Sequence, residues 1–525
     1  MPQPLADVAP TLGALIADAV RRWPARIAFV DGTREITYAQ MGRRIAQAQA
    51  RLAQLGLVRG DAVAQLSGNR VEMFCVMAAA YLAGLRSVTL HSMASAADHA
   101  AIVQDCAARV VVSEQAYAER ARALRAACGG VAHWLSHDDE PPQGAQSPAP
   151  FWRASQGDDD TLRVVDAPDD VIRLAYTGGT TGRSKGVMLT SRALHENARL
   201  WLAGLAWPDG VRTLCSAPIS HGAGSLIYPT LARGGTVVLQ RGFSVQAWLD
   251  AVQRHRIQHT FIVPTMLYAL LDAPATARAD LSSLQALMYG AAPASPARIR
   301  QALAVFGPVL VQSYGQTEAP NTILVLDQAA HAAASDAQLA SAGRPFPGVE
   351  VELLGDDDQP VGHGEIGEIC VRGPLLMSGY HGQPEQTAQA LRAGWLHTGD
   401  LARCDGEGLF HIVDRKKDMI ITGGFNVYPR EVEDVLSAHP AVAAVAVIGV
   451  PDARWGEAVK AVVVARAGAQ ATADALIDYV RERKGAICTP KSVDFVEQVP
   501  LTGLGKPDKK ALRQRYWTAQ SREIA

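Results

Sequence analysis

Apolar residues in the first part of the chain recur at helical and strand spacings in turn. Residues 11–20 and 41–55 carry apolar positions three and four apart, which predicts two amphipathic helices. Thr11 is placed to cap the first helix, and Gly56 to end the second. Short apolar runs between helical segments predict strands at 27–30, 63–66, 87–90 and 110–113. This alternation predicts a mostly parallel sheet with helices on its faces.

The pattern changes twice further along the chain. Residues 137–161 are rich in Pro, Asp, Gln and Ser, which predicts an exposed linker, while 327–342 predict either a helix or a mobile loop. A charged run begins at Asp414, where we place a domain boundary. Beyond it, a small α+β domain is predicted, with strands at 442–450, 459–464 and 493–496 and a helix at 475–483.

Composition narrows the class of protein. The chain has 525 residues, which exceeds the length that a single hydrophobic core usually supports, so at least two domains are expected. Its formal net charge of -2 offers no basic surface field to attract nucleic acid. Its seven cysteines form no C-x-x-C pair, which predicts a reducing, cytoplasmic location. The N-terminus shows no secretion signal. The longest apolar run, 73–85, is too short to span a bilayer and predicts a buried helix rather than an integral membrane segment.

The segment Tyr176-Thr-Gly-Gly-Thr-Thr-Gly-Arg-Ser-Lys-Gly186 carries the most specific chemistry. Its glycines let successive backbone N–H groups point inward, and its threonines and Lys185 add donors and charge, which favours a polyphosphate site. The spacing does not fit the common P-loop. A polar surface loop is the alternative. The segment also matches the G-x-S-x-G elbow of serine hydrolases, but its serine does not directly follow a strand.

Four further segments each allow a ligand-binding interpretation and an ordinary structural alternative. Ser313-Tyr-Gly-Gln-Thr-Glu318 offers a ring for stacking on a purine and a carboxylate for Mg²⁺, although a capped strand-to-helix turn would look similar. His397-Thr-Gly-Asp400 offers a carboxylate for a ribose diol, or only a turn aspartate. Asp414–Pro429 holds Arg415 and a Gly-Gly pair, or is a charged linker. Pro500-Leu-Thr-Gly-Leu-Gly-Lys506 presents a lysine, which alone is more often solvated.

The order and contents of these five blocks resemble the ANL superfamily of adenylate-forming enzymes, which includes acyl-CoA synthetases. The resemblance runs from about Thr11 to Arg513, and Ala217–Gly222 and Gly290–Pro293 are similar to two further family blocks. It implies an α/β fold with a large N-terminal domain (1–413) of mostly parallel sheets plus a β-rich part, a hinge (414–417) and a small mobile α+β domain (418–525). It also implies the cofactors ATP, Mg²⁺ and coenzyme A.

The resemblance assigns roles to individual residues. It implies catalytic roles for Lys506, His221, Glu318 and Thr177, with Glu318 as the metal ligand and Lys417 as the hinge residue. It implies that ATP or AMP is bound by Thr177, Gly178, Gly179, Thr180, Thr181, Gly182, Lys185, Gly290, Ala291, Ala292, Pro293, Ser313, Tyr314, Gly315, Thr317, Asp400, Arg415 and Lys506. His221, Gly423 and Gly424 would line a tunnel for the thiol of coenzyme A.

The acid and its acceptor are less constrained. Candidates for the acyl pocket are Trp207, His221, Tyr228, Val263, Met288 and Tyr289, among which no lysine or arginine stands to recognise a second carboxylate. This favours an apolar fatty, alicyclic or aromatic monocarboxylic acid, although the same side chains would equally fill a core. A separate carrier protein as acceptor, an oxidative fate of the adenylate and a non-catalytic nucleotide-binding protein are alternatives. A monomer or homodimer is expected.

Overall fold

The computed structural model describes residues 10–138, 149–152, 161–177, 185–466, 468–469, 471–501 and 507–517. The chain divides into two compact units. The first unit comprises Met1–Glu350 with Val371–Leu396, and the second comprises Val351–Cys370 with His397–Ala525. No helix within the described ranges is both long and apolar enough to cross a membrane.

The helices of the described residues are α1 (Leu12–Arg22), α2 (Tyr38–Gln54), α3 (Val71–Leu82), α4 (Ala96–Asp105), α5 (Ala118–Ala127), α6 (Ser191–Gly204), α7 (Ile227–Ala232), α8 (Val245–His255), α9 (Pro264–Asp272), α10 (Pro296–Phe306), α11 (Gln328–Ala333), α12 (Asp336–Leu339), α13 (Pro384–Ala390), α14 (Pro429–Ser437), α15 (Ala473–Cys488) and α16 (Lys509–Gln514). Helix α15 is interrupted at Gly485, whose φ is +79°.

The strands of the described residues are β1 (Ile27–Asp31), β2 (Arg34–Thr37), β3 (Ala62–Leu66), β4 (Arg86–Thr89), β5 (Ala108–Ser113), β6 (His133–Ser136), β7 (Ala149–Pro150), β8 (Val171–Thr177), β9 (Lys185–Thr190), β10 (Arg212–Cys215), β11 (Thr236–Leu239), β12 (His259–Ile262), β13 (Ala286–Gly290), β14 (Leu310–Gln316), β15 (Ala319–Leu326), β16 (Arg344–Pro345), β17 (Glu350–Leu354), β18 (Gly367–Arg372), β19 (Gly379–Tyr380), β20 (Leu396–Cys404), β21 (Phe410–Arg415), β22 (Ile420–Thr422), β23 (Phe425–Val427), β24 (Val442–Asp452), β25 (Gly456–Ala465) and β26 (Ser492–Phe495).

The first unit contains two large sheets among its described residues. One has the strand order β16-β15-β14-β13-β12-β10-β11-β1-β2, with β14 to β1 parallel and antiparallel strands at both edges. The other has the order β19-β9-β8-β4-β3-β5-β6-β7, in which only β9 runs against the direction of the other strands. The predicted mostly parallel sheets are therefore confirmed.

Local signals in the sequence explain the helices that cover these sheets. Thr11 caps α1, because its side chain accepts a hydrogen bond from the backbone N–H of Ala14. Gly56 follows α2 with φ +75°, a conformation that glycine adopts readily. Every residue of α3 is buried, as the apolar run that begins at Met73 predicts, and the helix also buries the ion-paired Glu72.

The predicted linker was wrong where the structure describes it. Residues 139–148 and 153–160 lie outside the described residues, but Phe151 is fully buried and Ala149–Pro150 forms strand β7. His137 is also buried. At 327–342 the chain forms the short helices α11 and α12, separated by Ala334 and Ser335, so the helical alternative is the one observed.

The second unit is built from two smaller sheets. A four-stranded sheet has the order β17-β18-β20-β21, and a five-stranded sheet has β23-β22-β25-β24, with β26 beside β25. Helices α14 and α15 bury Val432, Leu436, Leu476 and Val480 against the second of these sheets. The predicted elements beyond Asp414 are confirmed. The division into units groups β20 and β21 with the C-terminal elements, and the boundary at Asp414 with its hinge at Lys417 stays a prediction.

Candidate active site

The predicted phosphate loop is carried by a β-hairpin. Strand β8 ends at Thr177 and β9 begins at Lys185, and these two residues are paired in the antiparallel ladder. Gly178, Gly179, Thr180, Thr181 and Gly182 lie outside the described residues. The Nζ atom of Lys185 lies 4.7 Å from the centroid of the Tyr380 ring, within range of a cation–π interaction. The hairpin therefore presents its lysine from a fixed point at the base of the loop.

The residues predicted to hold adenine lie at the carboxyl ends of β13 and β14, two neighbouring strands inside the nine-stranded sheet. Gly290 is the last residue of β13 and pairs with Ser313 in the parallel strand β14. A Cβ atom at Gly290 would overlap the carbonyl oxygen of Ser313, so only glycine permits this approach. The chain then turns at Ala291, whose φ is +67°, and Tyr314 follows on β14. Gly290–Pro293 and Tyr314 are thus brought together, and the ring is suited to purine stacking.

Thr317 and Glu318 form the tight turn of the β14–β15 hairpin, not a strand-to-helix turn. Gly315 lies just before this turn, where a side chain would overlap the backbone of Asn321. Glu318 is 9% exposed, and its Oε1 accepts a hydrogen bond of 2.9 Å from the hydroxyl of Tyr380. The turn therefore holds a carboxylate in a nearly buried position.

The donor set around Glu318 fits Mg²⁺. Among the described residues no group of three or more His, Cys, Asp or Glu side chains is placed to hold a metal ion. Mg²⁺ is commonly bound by one or two carboxylates together with water and substrate phosphates. Glu318 would supply the protein ligand, and the phosphates of ATP would supply others.

His221 is held in a buried polar environment. Its Nδ1 lies 2.8 Å from the hydroxyl oxygen of Ser220, and its ring meets that of His91 edge-on at 4.9 Å. The guanidinium of Arg173, on β8, donates to the carbonyl of Ser220. Burial, with the positive charges of His91 and Arg173 as smaller causes, lowers the pKa of His221 to about 3. The imidazole is therefore neutral at physiological pH.

The six predicted acyl-pocket residues do not share one location. A Cβ atom at Gly222 would lie 3.1 Å from the ring of Phe261, so the β12 residue Phe261 faces the His221 segment, and Met288 is its neighbour in register on β13. Side chains alternate along a strand, so Tyr289 points to the opposite face. There its hydroxyl bonds to Gln312 and lies 2.9 Å from the His331 Nε2.

Tyr289 and Met288, both predicted for the acyl pocket, therefore face opposite sides of the sheet. Tyr289 and Val263 pack in the hydrophobic cluster that α8, α9 and α10 share with the sheet. Trp207 packs edge-on against His259 and donates to the carbonyl of Trp201, and Tyr228 is buried on α7. The assignment of all six residues to the acyl pocket stays a prediction.

The predicted ribose-binding pair is formed in the second unit. Asp400 on β20 and Arg415 on β21 are directly paired in the antiparallel ladder. The Nε of Arg415 lies 3.0 Å from Oδ1 of Asp400, which is 5% exposed. The backbone N–H of Asp400 donates to the hydroxyl of Thr398. The carboxylate is thus oriented by a partner that is itself half-exposed.

The paired glycines form the turn between β22 and β23. Gly423 and Gly424 have φ values of +56° and +83°. A side chain on Gly423 would overlap the ring of Trp455, whereas no atom lies within 4 Å of a Cβ built on Gly424. Lys417 lies in the single helical turn Lys416–Asp418.

Lys506 lies outside the described residues, together with the rest of 502–506. A bridge between Leu501 and Pro507 brackets this segment, and the N–H of Asp508 donates to the carbonyl of Pro500. The loop that carries the predicted catalytic lysine is therefore closed at its base.

Three residues of these sites escaped the sequence analysis. Tyr380, Arg173 and His91 contact Glu318, the Ser220 carbonyl and His221 respectively. Each lies far in sequence from the motif residue that it contacts. No spacing rule links them, so only the fold could have revealed them.

The sequence matches the family of AMP-binding enzymes over residues 16–381 and the C-terminal domain of AMP-binding enzymes over residues 431–506. The first match alone covers more than half of the chain. The chain belongs to the AMP-binding enzyme family, and the predicted relationship to ANL adenylate-forming enzymes is confirmed.

Named relatives share nearly the whole length of the chain. It is 41% identical to a medium/long-chain-fatty-acid–CoA ligase of Mycobacterium tuberculosis, over 98% of this chain and 91% of the relative. It is 40% identical to a feruloyl-CoA synthase of an Amycolatopsis species, over 96% of this chain and 99% of the relative. Its fold matches an amide bond synthetase from Marinactinospora thermotolerans with a TM-score of 0.88 and 34% identity, over 96% and 100% of the two chains. The predicted α/β fold class is confirmed.

Proposed function

We propose that the protein activates an apolar fatty, alicyclic or aromatic monocarboxylic acid and transfers the acyl group to coenzyme A. The enzyme is an AMP-forming acid–CoA ligase that uses ATP, Mg²⁺ and coenzyme A. The observation that carries the site assignment is the meeting of two distant motifs at one tyrosine. Tyr380 contacts Lys185 of the phosphate loop with its ring and Glu318 with its hydroxyl.

The reaction has two balanced steps. In the first, a carboxylate oxygen attacks the α-phosphorus of ATP, the bond to the β-phosphate oxygen breaks, and pyrophosphate leaves. In the second, the thiolate of coenzyme A attacks the acyl carbon, the acyl–oxygen bond breaks, and AMP leaves.

The residues of the first unit would act mainly on the nucleotide. Lys185 and the loop hydroxyls would bind the β- and γ-phosphates, while Tyr314 would stack on adenine and Thr317 would donate to the α-phosphate. Bound Mg²⁺ would neutralise phosphate charge, with Glu318 as its protein ligand. These contacts would hold the α-phosphorus in line with the attacking carboxylate and so remove an entropic barrier.

The residues of the second unit would orient the ribose and serve the chemical steps. The Asp400 carboxylate would accept hydrogen bonds from the ribose hydroxyls, with Arg415 as its ion-pair partner. Lys506 would contact the acid's carboxylate and the α-phosphate in the first step. Gly423 and Gly424 would leave room for the pantetheine arm in the second.

The neutrality of His221 supports the second step. A protonated imidazole has no free nitrogen lone pair, so it could not accept a hydrogen bond or a proton from the thiol, and its buried charge would be costly. Burial holds the pKa of His221 at about 3, so the ring remains uncharged and can accept a hydrogen bond.

The side chains near His221 support the proposal that the acid is apolar. Phe261 and Met288 lie on the same face of the sheet as the Gly222 segment. The guanidinium of Arg173 hydrogen-bonds the Ser220 carbonyl and so anchors the segment that carries His221. Relatives named for fatty acid, feruloyl and indoleacetate substrates span the same range of apolar and aromatic acids.

A thiol on a separate carrier protein is the second candidate acceptor. A relative at 33% identity is named as a fatty acid–[acyl-carrier-protein] ligase of Streptomyces coeruleorubidus. The two acceptors share the phosphopantetheine arm, so the tunnel assignment applies to both. We further propose a cytoplasmic enzyme, since all seven cysteines are free. We also propose that it is a monomer or a homodimer.

The test is ATP-dependent release of pyrophosphate across a panel of fatty, aryl and alicyclic acids, with and without coenzyme A. We expect release with one class of acid and thioester formation only when coenzyme A is present. Adenylate formation that coenzyme A never consumes would instead favour another acceptor. Absence of pyrophosphate release with every acid would contradict the proposal.

A further inference from the structure

We propose that Tyr380 is a positioning residue that fixes Glu318 for Mg²⁺ and Lys185 for the phosphates of ATP. This inference rests on the proposed function, because it concerns how the same site binds metal-bound ATP. Tyr380 belongs to none of the motifs that the sequence marks as phosphate, adenine or ribose sites. It lies on the short strand β19, between the two residues it serves.

The hydroxyl of Tyr380 determines which oxygen of Glu318 is available to a metal. Both side chains are nearly buried, at 8% and 9% exposure, and the Oη to Oε1 distance is 2.9 Å. The phenol hydroxyl donates this hydrogen bond to the carboxylate oxygen. No described residue hydrogen-bonds Oε2 of Glu318. The arrangement therefore reserves one oxygen for orientation and leaves the other for a metal ligand bond.

The backbone around Tyr380 is attached to both partners. The N–H of Met377 donates to the carbonyl of Glu318 at 2.8 Å. On the other side, Tyr380 pairs with Val187 of β9, and the N–H of His381 donates to the carbonyl of Gly186 at 2.7 Å. The five residues from Met377 to His381 thus connect the glutamate turn with the strand that begins at Lys185.

The ring of Tyr380 serves a different partner from the hydroxyl. The Nζ of Lys185 lies 4.7 Å from the ring centroid, and a phenylalanine ring would preserve that contact. Tyr380→Phe therefore removes support from Glu318 alone. Tyr380→Leu removes support from both residues. The two substitutions separate the metal role from the phosphate role.

The expected effect on metal binding is large enough to measure. Partners that hydrogen-bond a metal ligand typically change metal affinity by about 10–100-fold when they are removed. We expect Tyr380→Phe to weaken binding of the divalent ion by a factor in this range. We expect Tyr380→Leu to weaken binding of the nucleotide as well, because Lys185 loses its contact.

The experiment measures metal binding directly, without turnover. Mn²⁺ is titrated into the full-length protein with saturating α,β-methylene ATP, and free Mn²⁺ is followed by electron paramagnetic resonance. The methylene bridge prevents release of pyrophosphate. The variants are Tyr380→Phe, Glu318→Gln and their combination. The matched control is Tyr38→Phe, which removes a buried tyrosine hydrogen bond of 2.7 Å to the carbonyl of Gly235.

A double-mutant comparison separates positioning from general disruption. If Tyr380 acts through Glu318, Tyr380→Phe weakens Mn²⁺ binding in the wild-type background but adds little once Glu318→Gln has removed the ligand. Equal losses in both backgrounds, or a loss matched by Tyr38→Phe, would overturn the proposal. Full Mn²⁺ affinity in Tyr380→Phe would do so too.

The same titration distinguishes an error in the proposed function from an error in the role of Tyr380. If the wild-type protein bound no Mn²⁺ with the nucleotide analogue, the assignment of the ATP site itself would be refuted, whatever the variants do. If the wild type bound the ion and Glu318→Gln did not, the ATP site would stand and only the behaviour of Tyr380→Phe would decide this inference. Should Tyr380→Phe fold poorly, Mg²⁺ dependence of pyrophosphate release by its folded fraction provides the same comparison.

Discussion

The turn of Gly423 and Gly424 offers a test of the proposed thiol tunnel, because only one of the two glycines can accept a side chain. A Cβ on Gly423 would lie 2.5 Å from the ring of Trp455, which the turn cannot accommodate without rearrangement. A Cβ on Gly424 meets nothing within 4 Å. A side chain at Gly424 therefore projects into open space, where the proposal places the pantetheine arm.

The cost of substitution at Gly424 is set by its backbone. Its φ of +83° is left-handed, which costs a residue with a side chain about 1–2 kcal/mol. Against a typical unfolding free energy of about 5 kcal/mol or more, at least about 3 kcal/mol remains, so roughly 99% of the protein stays folded. Gly424→Ala and Gly424→Leu share this strain and differ only in bulk.

We expect the two variants to separate in the second half-reaction alone. Forcing extra methylenes into an occupied space typically costs about 1–3 kcal/mol, which corresponds to a loss of about 5–150-fold in the rate of thioester formation for Gly424→Leu. Gly424→Ala should stay close to wild type. Both variants should release pyrophosphate at the wild-type rate, because the acid and ATP do not use the tunnel.

The assay is a single-turnover measurement in which preformed adenylate on the enzyme is mixed with coenzyme A and quenched. Gly408→Leu is the control, since Gly408 has a φ of +76° and open space around its Cβ in the β20–β21 turn. Equal thioester rates for Gly424→Leu and Gly424→Ala would refute the tunnel placement. Parallel loss of pyrophosphate release would show a general defect instead.

Three further predictions concern the ATP site and stability. Lys506→Ala should slow adenylate formation by roughly 10²–10³-fold in pyrophosphate exchange, while thioester formation from preformed adenylate changes much less; equal losses would contradict its role. Asp400→Asn should raise the KM for ATP by about 10–150-fold, from loss of a charge-assisted hydrogen bond, and leave the KM for the acid unchanged; a change in both would argue against ribose binding. Burial lowers the pKa of His259 from 6.5 to about 4, so the unfolded state binds more protons below pH 6.5 and stability falls as pH drops toward 4. At pH 5 this lowers the free energy of unfolding by about 2 kcal/mol. Between pH 7.5 and 5, the unfolding free energy of His259→Phe, measured with denaturant, should therefore fall by about 2 kcal/mol less than that of the wild type; identical pH profiles would refute this role of His259.

Much of the fold followed from local signals. The cap at Thr11, the apolar stripe of α2 and the apolar run that begins at Met73 each predicted an element that the structure contains. These predictions succeeded because burial of one helical face and satisfaction of terminal N–H groups are local requirements. The predicted linker failed at Phe151, since a polar composition on both sides conceals a single residue that a distant core buries.

Some residues of the candidate site were recognisable from the sequence and others were not, and the difference has a physical reason. Residues such as Lys185, Tyr314 and Glu318 stand in compact motifs because loops and strand ends that meet a ligand need several special residues in a row. Neighbouring residues such as Met288 and Tyr289 could not be assigned to one pocket by proximity in sequence, because strand alternation determines which face a side chain occupies.

Strand β8 shows why the supporting residues carry no motif. It ends at Thr177, the first residue of the phosphate loop, and its Arg173 donates to the Ser220 carbonyl beside His221. One strand therefore fixes both a residue predicted to act on ATP and the segment predicted to face the thiol. A supporting residue needs only a side chain long enough to contact the motif from a neighbouring strand. Several residue types at several positions can meet that need. A residue that touches a phosphate has far fewer alternatives. Selection for ligand contact therefore produces recognisable motifs, whereas support for those motifs is visible only in the folded geometry.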